Sequence, residues 1–219
     1  MVMIFNNRIK NIIIILEGFA CLIVAHLMLW LLINPMLYKL SSSIPQITKE
    51  ILSSSAFSPI IAIIYCYNRT KRLPVASPHL KDLVMTIIVG IILSWLTFFL
   101  NMITSDKKIP FAQSILDVPT PFLYLNIFLV VLWGPTLEEV LFRGYFFGII
   151  REDWGDIFAF ILSSLLFIIP HGIWGTFDIN LFFIFLYSAI FTVVYSKSGI
   201  VASITVHSLV NAFLLLANT

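Results

Sequence analysis

Apolar residues in this chain run in unbroken blocks rather than alternating with polar ones. The blocks fall at roughly 11–33, 51–67, 82–104, 121–149, 156–172, 179–196 and 199–217. About 20 apolar residues cross a bilayer as a helix, so the pattern predicts an all-α, polytopic transmembrane helical bundle of about seven spans. An eighth span follows if the fourth block divides at Gly134-Pro135, since proline inside a helix kinks or breaks it. Continuous blocks exclude a transmembrane barrel, whose strands alternate apolar and polar positions. The first block, Asn11 to Ile33, is longer than a signal peptide's apolar core and lacks a small-residue cleavage site, so it reads as a retained span.

Composition narrows the class further. With 60% hydrophobic and 11% charged residues, the chain is neither an ordinary soluble domain nor a disordered one. A formal charge of +2, scattered along the sequence, argues against a nucleic-acid partner. Cys21 and Cys66 both lie within apolar blocks and show no metal-type spacing, so they read as packing residues. If the spans alternate, Arg8, Lys10, Arg69, Lys71, Arg72, Lys81, Arg151 and Lys197 fall on one side. Lys39, Lys49, Lys107 and Lys108 fall on the other, which predicts a cytoplasmic N-terminus. Residues 1–119 hold three spans without a motif, and residues 120–219 hold four spans that carry nearly all the informative polar positions.

Three of those positions crowd together. Glu138, Glu139 and Arg143 stand within six residues of one another in the fourth block. A charge near the bilayer centre costs at least about 2.5–3.5 kcal/mol, so such groups need partners or a wet cavity. Residues four apart share a helix face, which pairs Glu139 with Arg143, acid before base. Glu138 diverges by about 100° and keeps no local counter-ion, as suits a proton acceptor. His171 closes the fifth block, four residues after Phe167. His207 and Asn211, again four apart, project from one face of the last block, where an imidazole and an amide suit shared hydrogen bonding. Glu17 and His26 in the first span have no polar neighbour at helical spacing and read as structural.

Glu138-Glu139-Val-Leu-Phe-Arg143, Phe167-Ile-Ile-Pro-His171 and His207-Ser-Leu-Val-Asn211 together resemble the CPBP family, the intramembrane CAAX protease and bacteriocin-processing (Abi) proteins. That family's pattern is E-E-x-x-x-R, F-x-x-x-H and H-x-x-x-N on three core helices, and all three match here in order and spacing over residues 120–217. The resemblance implies an intramembrane glutamic endopeptidase related to type II CAAX prenyl endopeptidases, working without metal or other cofactor. Glu138 and His171 would activate a water, His207 and Asn211 would stabilise the oxyanion, and Glu139 with Arg143 would organise the site. It further implies a peptide or membrane-protein substrate, a bacterial plasma-membrane location, and a role in bacteriocin maturation or self-immunity.

Other classes fit parts of the same pattern. Glu138, His171 and His207 have the residue types of a two-histidine, one-carboxylate metal site, although no His-Glu-x-x-His helix is present. A non-catalytic immunity protein needs the spans but not the chemistry. A small transporter would use Glu138 in a proton relay, yet no inverted repeat is visible. The span boundaries also raise a difficulty, because they place Glu138 toward the cytoplasmic side of the membrane and His171 toward the external side. Sharing a water requires the Glu138 carboxylate within about 8 Å of the His171 ring. That calls for a break at Gly134-Pro135 or a longer fourth helix.

Overall fold

In the computed structural model, residues 2–40, 43–52, 56–71, 80–104, 114–174 and 179–216 are described, and every regular element among them is helical. In chain order these are α1 (Val2–Leu40), α2 (Gln46–Glu50), α3 (Ser58–Thr70), α4 (Leu80–Thr104), α5 (Thr120–Ile127), α6 (Gly134–Glu139), α7 (Gly148–Trp174) and α8 (Ile179–Leu216). Two π-helical stretches, Phe128–Trp133 and Val140–Phe147, join α5 and α6 to the start of α7. Arg72, Lys107 and Lys108 of the charge count lie outside the described residues.

Among the described residues three helices are long and apolar enough to cross a membrane: Arg8–Lys39, Thr120–Gly172 and Leu181–Leu216. Two of the three fold back on themselves. Gly155 and Gly199 take φ of 80° with extended ψ, a conformation that glycine alone adopts freely. Phe142 and Phe167 meet at 5.1 Å across the first turn, and the Ser203 hydroxyl reaches the Phe191 carbonyl across the second. A straight helix would hold either pair tens of ångströms or a full dozen residues apart, so each glycine closes an antiparallel helical hairpin. The legs are 120–154 and 156–174, then 179–198 and 200–216.

Two expectations about element ends are corrected. The second block begins at Ser58 rather than residue 51, because Pro59 suits a first turn, where its missing N–H would bond to nothing anyway. The helix also does not break at Gly134-Pro135. The chain stays helical there, and the turns before the proline widen instead, with the Gly134 N–H donating to the Leu129 carbonyl five residues back. A widened turn moves carbonyls away from the proline ring, relieving the clash that would otherwise kink an α-helix.

The N-terminal helices brace these hairpins. Lipid tails are as apolar as leucine, so helices in a bilayer associate through close packing and hydrogen bonds. Gly90 on α4 lets the backbone approach Val194 and Val206, one on each leg of the last hairpin. Thr86 accepts from the Ser198 hydroxyl at 2.8 Å, and Phe213 packs against Trp95 and Phe98. Gly18 on α1 brings its backbone against Cys66 and Phe146. Glu17 is not isolated as its own helix suggested. It accepts from the Tyr65 hydroxyl and pairs with Arg69 at 3.2 Å, both on α3. Inside this frame Leu141, Phe142, Phe146, Phe147 and Ile150 form a buried seam against Ile14, Leu22, Ala62 and Phe167.

Candidate active site

The fold-back at Gly155 settles the depth of the two residues expected to share a water. Glu138 stands 17 residues before Gly155 and His171 stands 16 after it. At 1.5 Å per residue these offsets put both at one level of the antiparallel pair. The contact between Phe142 and Phe167, four residues nearer the turn on each leg, fixes that register. The extra length comes from the helix running on to residue 154, five residues past the apolar block.

Arg143 sits about one turn closer to the fold-back than Glu138, while Glu139 is only one residue closer. Neither Arg143 nor Glu139 has any exposed side-chain surface. Arg143 Nη1 donates to Glu139 Oε1 at 3.0 Å. Its Nη2 donates to the Ser188 carbonyl at 2.9 Å and to the Ser188 hydroxyl at 2.8 Å, and Nε donates to Thr192 Oγ1 at 3.4 Å. The guanidinium plane also lies 4.6 Å from the Phe167 ring centre and 5.6 Å from that of Phe191. A buried ion pair repays its desolvation only when the remaining donors and acceptors are satisfied. Here the leg 179–198 supplies the hydroxyls and carbonyl that do so.

His207 connects this pair to Glu138. Its Nδ1 lies 2.8 Å from Glu139 Oε1, and a carboxylate oxygen accepts, which places a proton on Nδ1. Nε2 then faces Glu138 Oε2 at 3.8 Å. Phe191 stacks on the imidazole at 4.3 Å and Phe167 meets it edge-on at 5.9 Å, so the ring is clamped on two sides. Glu138 keeps about a quarter of its side chain exposed (26%) and makes no pair with Arg143, whereas Glu139 keeps none. Adjacent glutamates thus approach opposite nitrogens of one histidine from environments that differ sharply in exposure.

His171 and Asn211 complete the set. The His171 Nδ1 lies 2.8 Å from the Phe167 carbonyl, which accepts, leaving the Nε2 lone pair free. Its ring stacks on Phe167 at 4.7 Å, the same ring that contacts His207. Asn211 Nδ2 donates to the Val130 carbonyl at 2.9 Å. Val130 lies in the π-helical stretch before Gly134, where the widened turns alter the usual carbonyl pairing. One hydrogen of the Asn211 amide remains.

Several contributors had no place in the motifs. Ser188, Thr192 and Ser203 are fully buried hydroxyls, and Phe191 is the stacking face for His207. Their helical spacing carried a signal: Ser188 and Thr192 are four apart, and Ser203 precedes His207 by four. Among the described residues no three His, Cys, Asp or Glu side chains are grouped as a metal site. The arrangement offers one partly exposed carboxylate, two imidazoles with an Nδ1 proton bonded in place and an amide donor around a buried anion. That combination suits activation of a water and stabilisation of an oxyanion.

Residues 120–213 match the Rce1-like family, described as type II CAAX prenyl endopeptidase Rce1-like. The match spans the two hairpins and all three motifs, and the family is one of proteases. No curated protein and no solved structure matches the chain.

Proposed function

We propose that this protein is an intramembrane endopeptidase that hydrolyses a peptide bond near the bilayer with a glutamate-activated water and no metal. The observation that carries the reading is the contrast between Glu138, partly exposed and not bonded to Arg143, and Glu139, locked to Arg143. In the reaction Glu138 takes a proton from a water held with His171 Nε2. The water oxygen bonds to the substrate carbonyl carbon, and the doubly protonated His207 ring, through Nε2–H, and the second Asn211 amide hydrogen hold the oxyanion. As the intermediate collapses the C–N bond breaks, and the leaving nitrogen takes the proton from Glu138. The chain crosses the bacterial plasma membrane seven times from a cytoplasmic N-terminus, with the catalytic core in 120–219. Its substrate is a peptide or membrane-protein tail, and its cellular role lies in peptide maturation or bacteriocin self-immunity.

The test uses the full chain in nanodiscs with a fluorogenic peptide library. Glu138→Gln lowers turnover by about 100- to 10,000-fold, the range that positioned acid–base groups supply, and leaves the thermal midpoint unchanged. Wild-type turnover in Glu138→Gln would sink the mechanism. Hydrolysis persists in a strong chelator, and a complete, zinc-reversible loss would overturn its metal-free part.

A further inference from the structure

We infer that Ser203 is a positioning residue for this reaction: it holds the Glu139 carboxylate so that Glu139 aims the His207 imidazole. The inference rests on the mechanism proposed above. Ser203 is fully buried, and its Oγ lies 2.5 Å from Glu139 Oε2 and 3.0 Å from the Phe191 carbonyl. The other carboxylate oxygen, Oε1, receives both Arg143 Nη1 and His207 Nδ1. Each oxygen of Glu139 therefore has its own task, and Ser203 is the donor on Oε2.

The geometry without that hydroxyl differs in a predictable way. The terminal torsion of a glutamate is broad, so the carboxylate turns easily unless both oxygens are held. Arg143 Nη1 carries a second N–H, while Nη2 and Nε are spent on Ser188 and Thr192. With Oε2 released, the carboxylate turns toward that remaining N–H and carries Oε1 off the His207 Nδ1–H. The imidazole then loses the contact that holds its Nδ1–H and the direction of Nε2. Ser203 is well placed to prevent this, because it stands one helical turn before His207 on the same leg. Its oxygen also lies 3.0 Å from the backbone carbonyl of Phe191, the residue whose ring lies on that imidazole.

A neighbouring hydroxyl supplies the control. Thr205 lies on the same leg, but its Oγ1 donates back to the Val201 carbonyl at 2.8 Å on an exposed face. Removing it changes no contact of the site.

The experiment compares wild type, Ser203→Ala and Thr205→Ala as full chains in nanodiscs, with selectively 15N-labelled histidine assigned by a His207 variant. Ser203→Ala is expected to lower kcat by up to about 100-fold with KM within about twofold, and Thr205→Ala to match wild type. In the spectra, the His207 Nδ1–H signal shifts or broadens in Ser203→Ala while that of His171 stays in place. A Ser203→Ala enzyme with wild-type kcat overturns the inference, and so does one that loses kcat with an unchanged His207 signal. If the wild-type chain hydrolyses nothing, the proposed function fails, yet the spectra still decide the contact: an unmoved His207 signal overturns it.

Discussion

Two glutamate–arginine pairs stand in this protein at almost equal separations, 3.0 Å for Glu139–Arg143 and 3.2 Å for Glu17–Arg69. They differ in what surrounds them. The first lies on one helix with no exposed surface, its guanidinium and carboxylate met by Ser188, Thr192, Ser203 and His207. The second bridges α1 and α3 with 44% of each side chain exposed and adds one tyrosine hydroxyl. Distance alone therefore says little about an ion pair. Where water screens the charges, each survives the loss of its partner; where water is absent, every neighbour is recruited to hold them.

The largest effect is expected from Arg143→Ala. Breaking a buried pair leaves an uncompensated charge and costs about 3–5 kcal/mol, read as a lower thermal midpoint in detergent or nanodiscs and poor membrane yield. A variant as stable as wild type would erase the contrast between the two pairs. Thr192→Ala removes one supporting hydroxyl and should cost about 0.6–2 kcal/mol, as interhelical hydrogen bonds in membranes do; no change would place the burden on Ser188 alone. The smallest effect belongs to Glu17→Gln, within about 1 kcal/mol and shrinking as salt rises. A loss matching that of Arg143→Ala would show that α1 and α3 hang on that single contact.

The parts legible in the sequence were those contained within one helix. Spacing of four residues paired Glu139 with Arg143 and placed His207 beside Asn211, because helical geometry is local. The same spacing marked Ser188 with Thr192 and Ser203 with His207, a signal passed over because small hydroxyls are common in membrane helices. Contacts between legs were not legible. That Glu139 would receive His207, or Glu17 find Tyr65 and Arg69, depends on which helix faces which. The equal depth of Glu138 and His171 was hidden in the polar run Arg151-Glu-Asp-Trp154, which looked like a loop and is the last turn before Gly155. Gly134-Pro135 misled in the opposite sense, since a proline was met by wider turns rather than by a kink.

Those wider turns have a bearing on which changes in chain length the protein tolerates. A π-helical turn is how a helix accommodates a surplus residue without unwinding. Deleting one residue between 128 and 133 would let that segment close to ordinary α geometry. Everything beyond it would keep its face, because the wide turn had already taken up the surplus residue. What would change is the carbonyl spacing at Val130, which anchors Asn211. The same single-codon deletion in the α-helical leg 156–174, which has no such slack, would swing everything beyond it by about 100° about the helix axis.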